Sequence, residues 1–217
     1  REECRERGLQ PEDRLVTLAN PTLPDEDPTP EAIAHPWLAP GGEPLLVAAG
    51  RLAPQKDFPT LLNAFALLQS EIPSRLVIFG EGKDRGDLES LVRELGLESR
   101  VDLPGYDPRF VGFVRRASLF VLSSRWEGAG NVLIEALGKG VPVVATDCPW
   151  GPREILEQGR LGTLVPMGAP RALAEAMRDT LRQPPDPGVL RAGVQKYRVL
   201  EASQRYHEVL AALARGM

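Results

Sequence analysis

Residues 118–137 read SLFVLSSRWEGAGNVLIEAL. Leu119-Phe120-Val121-Leu122 is a short apolar stretch without polar alternation, the pattern of a strand covered on both faces. Gly128 and Gly130 then supply a tight turn, and a helical spacing of apolar residues begins near Gly130. A buried strand that passes through a glycine turn into a helix is one βα unit of a parallel sheet.

The same alternation extends in both directions. Strands are predicted at 45–49 (LLVAA), 75–79 (RLVIF), 100–103 (RVDL), 118–123, 141–145 and 161–165. Helical spacing occupies 58–71, 84–96, 108–116, 130–139, 152–158 and 170–182. Six strands alternating with helices predict an α/β fold, a doubly wound, six-stranded parallel Rossmann-like sheet with right-handed crossovers over 45–183. In such sheets ligands lie beyond the carboxyl ends of the strands. The loops to inspect begin at Gly50, Gly80, Gly105, Ser124, Thr146 and Pro166.

The flanks differ from this pattern. Residues 1–19 read as a short charged helix, a turn at Gly8 and the apolar stretch from Leu15 to Ala19. Seven prolines between Asn20 and Pro44 forbid a regular element there, so 20–44 is a linker with at most one helical turn near Glu31–Ala34. The tail, 184–217, holds one or two helices, the last with an apolar stripe of Leu200, Tyr206, Val209, Leu210 and Leu213.

Composition narrows the function. The 217 residues carry a net charge of −4 and no Lys/Arg run, which argues against a nucleic-acid partner. Any anion must be captured locally, by a few cations and backbone amides. The two cysteines, Cys4 and Cys148, stand far apart, which suits a reducing cytoplasm rather than a disulfide framework. Neither His35 nor His207 lies near Cys148 in sequence, so Cys148 reads as a structural thiol. No P-loop appears, and no Cys/His cluster offers metal ligands, so no metal or other cofactor is expected. Asp25-Glu26-Asp27 has the form of a metal-binding DxD but lies in the proline-rich linker, where solvation is the simpler reading.

Four loops carry candidate chemistry. After Gly50, Arg51 and Lys56 are two cations five residues apart, one a planar fork and the other a point charge, suited to a diphosphate. Gly80-Glu81-Gly82 nearly spells a dinucleotide fingerprint, but it follows the second strand and its last glycine, Gly86, is one residue late. Gly80 and Gly82 would still permit close approach of backbone to a ligand. The loop opening our quoted run is the strongest signal. Amides of Asn131, Val132 and Leu133 at a helix start form an anion site beside Gly128 and Gly130. Glu127 and Glu135 flank it, as expected of acids that accept hydrogen bonds from hydroxyls on either side of a diphosphate.

With those residues in place, the chain resembles the retaining glycosyltransferases of family 4, which have the GT-B fold. The matching features, in order, are Asn20-Pro21, Gly50-Arg51-Leu52 with Lys56, Gly80-Glu81-Gly82, Glu127-x7-Glu135 and the run GVPVVATDCPWGPREIL at 140–156. The resemblance covers roughly residues 15–182 and implies the C-terminal, donor-binding half of such an enzyme. It implies a nucleotide-sugar donor, usually a UDP-sugar, metal-free transfer and retention of configuration. By this resemblance Arg51 and Lys56 contact the diphosphate with the amides of Asn131 to Leu133. Glu135 takes the ribose hydroxyls, Glu127 the sugar hydroxyls, and Gly105-Tyr106 lies near the base. Ala129 departs from the family, where a bulkier residue is common.

Residues 1–19 then read as the last helix and strand of an N-terminal acceptor domain, and the chain alone is expected to be inactive. The acceptor, a glycan or lipid-linked molecule, would bind through that other domain. Peripheral contact with the inner face of a membrane belongs to the same expectation. The alternatives are a non-catalytic nucleotide-sugar-binding module and a GT-B nucleotide-sugar epimerase; a phosphorylase would require a pyridoxal lysine, for which no strong candidate appears.

Overall fold

Strand residues 45–49 and 75–79 pair along their full length, and the sheet grows from that pair. The computed structural model describes residues 16–26, 35–38, 41–108 and 110–215. It contains β1 (Leu45–Ala49), β2 (Arg75–Phe79), β3 (Val101–Gly105), β4 (Leu119–Leu122), β5 (Val143–Thr146) and β6 (Thr163–Val165), all parallel. Their order in the sheet is β3-β2-β1-β4-β5-β6, the doubly wound arrangement in which the winding direction reverses between β1 and β4.

β1, β4 and β5 are buried at every position, and almost wholly apolar, because helices cover both faces. On one face lie α1 (Phe58–Gln69), α2 (Arg85–Glu94) and α6 (Pro170–Arg182). Phe58, Leu61, Leu62, Phe65 and Leu68 of α1 recur at helical spacing and pack with Leu173 and Met177 of α6 over Leu46, Ala48, Ile78 and Val121. The other face carries α3 (Phe110–Arg116), α4 (Asn131–Gly138), the short α5 (Pro152–Ile155) and α7 (Pro187–Gly193).

Departures from the expected boundaries have local causes. β3 continues through Pro104 to Gly105, which an edge strand tolerates because its outer amides need no partner. Only Pro152–Ile155 of the predicted 152–158 helix forms. Glu157 and Gln158 adopt left-handed conformations, φ 48° and 58°, and end it in a 3-10 turn. The linker region contributes a 3-10 turn at Pro36–Leu38, where His35 meets Trp37 and Phe113 edge-on, each at 5.3 Å. The helical turn expected near Glu31–Ala34 and the charged helix expected within 1–15 lie outside the described residues.

Contacts divide the chain into two compact units. The first is Pro28–Val194, which holds the sheet; the second joins Arg1–Asp27 to Gln195–Met217. In the second, Leu23 bridges to Arg198 and α8 (Val199–Arg215) follows. Asp25 corrects the expectation of a merely solvated acidic run. Its carboxylate accepts the Leu200 amide at 3.0 Å and so satisfies a free N–H in the first turn of α8. Asp27 lies outside the described residues. The stripe on α8 stays largely open, with Leu200, Leu210 and Leu213 exposed. No helix among the described residues is long and apolar enough to cross a membrane.

Candidate functional site

Reversal of the winding between β1 and β4 places the loops that leave these two strands side by side. One carries Gly50-Arg51 and Lys56; the other runs from Ser123 to Gly130 and opens α4. The closest point is charged: Lys56 Nζ donates to Glu127 Oε1 at 2.6 Å. The two side chains are only 13% and 7% exposed, so this is a partly desolvated pair, far more dependent on its partners than a surface bridge. Ser124 Oγ donates to the same Glu127 oxygen at 2.5 Å, and the Glu127 amide donates to Pro149 O at 3.2 Å.

The family resemblance implies that Lys56 faces a diphosphate and Glu127 a sugar. In the structure they face each other. The two roles remain compatible because an ammonium has three donors and a carboxylate several acceptor positions. Arg51, by contrast, is exposed and makes no ion pair among the described residues.

Arg51 lines a cleft of about 490 Å³ together with Gly50, Phe79, Gly80, Glu81, Tyr106, Asp107, Phe110 and Val132. The cleft therefore joins the carboxyl ends of β1, β2 and β3 to the first turn of α4. Its walls are chiefly apolar, and Phe79 and Phe110 stand 6.2 Å apart across tilted rings. Tyr106 stands at its rim, 80% exposed. Glu81 is held by Arg85 at 2.6 Å, which lowers its carboxyl below the ordinary value.

Gly80 and Gly82 have a structural task at this cleft. A Cβ on Gly80 would stand 1.9 Å from Gly50 O, and one on Gly82 2.1 Å from Leu52 O. The backbone that approaches them is the neighbouring loop. Gly105, at φ 89°, is closed off by Glu81, whose Oε1 lies 2.7 Å from a would-be Cβ. Gly128 faces open space, whereas Gly130 takes φ 66° immediately before α4.

Leu133 corrects the expected set of free amides. Its N–H donates to Gly130 O at 2.9 Å, a tight first turn that removes it from any anion site. Among the described residues no acceptor takes the Asn131 and Val132 amides. Glu135, one turn later, keeps Oε2 buried without a hydrogen-bond partner. Burial pushes its carboxyl above the ordinary value, while Lys139 pulls it partly back.

A raised folded-state value means that the neutral acid is the form the fold prefers. That contribution is complete below the unfolded value near 4.5 and is lost as pH rises through the folded one. Glu135→Gln is therefore expected to be at least as stable as the parent at pH 7, with the advantage shrinking toward pH 4. Thermal unfolding at the two pH values reads this directly, and a clear loss of stability at pH 7 would contradict it.

Residues that spacing alone passed over also converge here. Asp57 is buried in a left-handed conformation beside Lys56, and Arg125 approaches it from the other loop at 3.2 Å. Thr146 Oγ1 donates to Ser124 O at 2.5 Å and holds the end of β4. The only sequence hint was Asp57 immediately before Phe58-Pro59, a helix start that ordinarily reads as a simple cap. Cys148 is buried, its thiol pushed up first by burial and then by the Glu127 charge.

The sequence profile of the family "Glycosyl transferases group 1" matches residues 31–197. An uncharacterized glycosyltransferase of Methanocaldococcus jannaschii is 38% identical over 113 residues, 52% of this chain and 28% of that protein. N-acetylgalactosamine-N,N'-diacetylbacillosaminyl-diphospho-undecaprenol 4-alpha-N-acetylgalactosaminyltransferase of Campylobacter jejuni is 33% identical over 136 residues, 63% of this chain and 37% of that one. The chain thus spans well under half the length of these curated relatives.

Among solved structures, the lipopolysaccharide outer core galactosyltransferase WaaB in its apo form superposes with a TM-score of 0.78 at 20% identity, covering 97% of this chain and 59% of that one. HepE of Anabaena, solved with UDP and glucose, gives 0.69 at 24% identity over 77% of this chain and 48% of that one. At these identities the likeness speaks for the fold, that of GT-B glycosyltransferases. By the span of the profile match, the chain belongs to the glycosyl transferases group 1 family.

Proposed function

We propose that this chain is the donor-binding half of a retaining, family 4 glycosyltransferase that takes a nucleotide-diphosphate sugar, a UDP-sugar first. The observation that carries the reading is the meeting of Lys56 and Glu127 at 2.6 Å where the winding reverses, beside the cleft that Arg51 and Val132 share. In this reading the base lies against the apolar wall near Tyr106, and Glu135 receives the ribose hydroxyls. The diphosphate lies between Arg51, Lys56 and the Asn131 and Val132 amides. UDP bound in related folds such as HepE and the pneumococcal O-GlcNAc transferase GtfA supports the choice of nucleotide.

Chemistry follows from charge. When the bond from the anomeric carbon to the diphosphate oxygen breaks, its electron pair goes to the leaving diphosphate. Donors already aimed at that oxygen lower the barrier because they need no reorganisation as charge develops. Arg51, Lys56 and the start of α4 supply them. Glu127 holds the sugar hydroxyls while Lys56 spans carboxylate and phosphate. The acceptor, a saccharide or lipid-linked glycan, would enter through an N-terminal domain. On this reading the 217-residue chain binds donor but does not transfer sugar.

Calorimetric titration of the folded chain with UDP tests the reading, with GDP and ADP as competitors. Saturable binding of UDP, weakened about tenfold by Glu135→Gln through loss of a charge-assisted hydrogen bond, is the expected result. No UDP binding by a chain that unfolds cooperatively would overturn it. Chromatography of products from the intact protein separates transfer from epimerisation.

A further inference from the structure

Asp57 is a buried charge to which the donor reading assigns no role. Its side chain is 6% exposed, and among the described residues no donor forms a hydrogen bond to Oδ2. Burying a carboxylate oxygen without a donor opposes folding. The backbone adds to the cost, since φ 46° and ψ 43° is a conformation that glycine adopts more readily than any residue with a Cβ. Standing directly before α1, Asp57 would be a natural cap, yet its side chain takes no amide of that helix. Neither helix capping nor local conformation accounts for the residue.

Its neighbour across the switch point does. Arg125 Nε lies 3.2 Å from Asp57 Oδ2, at ion-pair distance. The pair is one of several ties between the same two loops. The Arg125 amide donates to Gln55 O at 2.8 Å, and Gln55 Nε2 donates to Trp126 O at 2.9 Å. Ser123 Oγ donates to Lys56 O at 2.7 Å. Lys56 is itself a member of this set through its carbonyl, and Glu127 directly follows another, Trp126.

We infer that Asp57 is a positioning residue for the donor site. Its charge holds the half-exposed Arg125 side chain at ion-pair distance, latches the loop after β1 to the loop after β4, and so sets where Lys56 and Glu127 meet the donor. The inference rests on the donor reading of this site. It predicts that stability and binding move apart when the carboxylate is removed, because the side chain is retained against the preference of its own backbone.

The test compares Asp57→Gly, Asp57→Asn and Arg125→Ala with the parent chain, by thermal unfolding and by calorimetric titration with UDP. Asp57→Gly is expected to keep or raise the melting temperature while weakening UDP binding about fivefold to tenfold. Asp57→Asn, which tolerates the same backbone without the charge, should weaken binding to a similar degree. Arg125→Ala should do likewise, and the double variant Asp57→Gly with Arg125→Ala should be no weaker than either single one. Unchanged UDP affinity in Asp57→Gly, with the parent binding normally, overturns the latch and leaves the donor reading intact. A melting temperature that falls along with affinity overturns it too, in favour of a purely structural pair. No UDP binding by the parent removes both.

Discussion

Gly80→Ala is expected to destabilise the chain by about 3–5 kcal/mol, which for a domain of this size lowers the melting temperature by ~10 °C or more. Two independent costs add. Gly80 has φ 138°, a conformation that L-residues avoid. Its would-be Cβ also stands 1.9 Å from the carbonyl oxygen and 2.9 Å from the carbonyl carbon of Gly50. The obstacle is backbone at the end of β1, so no side chain can swing aside. The shift must travel through Gly50, whose amide bonds to Phe79 O at 2.9 Å, and through the Gly80 amide, bonded to Gly105 O at 2.8 Å. All three loop starts around the cleft would move, and any binding that uses Arg51 would fall with stability.

Gly86→Ala is the matched control. Gly86 lies in the first turn of α2, has no heavy atom within 4 Å of a would-be Cβ, and is expected to gain a few tenths of a kcal/mol as alanine in a helix. Thermal melts of the two variants side by side decide the matter. A Gly80→Ala chain that melts within 2 °C of the parent would mean the close approach to Gly50 is absent.

The contrast between these glycines marks how far the sequence could be read. Gly80 and Gly86 look alike in a string that nearly spells a nucleotide fingerprint, yet one is wedged against another loop and the other is free. Close approach of backbone to backbone is a tertiary fact with no local pattern. The sheet was far more legible, because burial on both faces leaves unbroken apolar runs. β1 and β2 were read to the residue, bounded by Pro44, Gly50 and Gly80. Boundaries slipped where a terminator acts through conformation, as at Gln158, or where an edge position admits a proline, as at Pro104.

Within the site, residue types were legible and their partners were not. By type and position Arg51, Lys56, Glu127 and Glu135 carry the expectation of anion and hydroxyl chemistry. That Lys56 bonds Glu127 across 71 residues follows only from the strand order, which places β4 beside β1. The use of the Leu133 amide by Gly130 depends on how tightly the first turn of α4 winds. Asp57 escaped notice because a left-handed acid before a helix reads, letter by letter, as an ordinary cap.

Lys56→Ala should be the most damaging change to the site, because it acts on fold and binding together. Removing the ammonium strands the Glu127 carboxylate, whose side chain is only 7% exposed in the intact pair, with the Ser124 hydroxyl as its remaining side-chain donor among the described residues. Stripping one partner from a buried ion pair costs about 3–5 kcal/mol, most of it the penalty of the stranded charge. The companion change Glu127→Gln should restore much of that stability, since the stranded charge is then gone. It should not restore UDP binding, which on the donor reading requires the cation itself. Arg51→Ala separates the two effects from the other side. An exposed arginine with no ion pair among the described residues contributes little to the fold, so its loss should leave the melting temperature within ~2 °C. UDP affinity should nonetheless fall by roughly tenfold, the weight of a charge-assisted contact to phosphate. Melting curves and titrations on the three variants therefore form one experiment. If Lys56→Ala melts with the parent, the pair is not buried as the structure has it; if it melts lower but binds UDP as well as the parent, the diphosphate is held elsewhere.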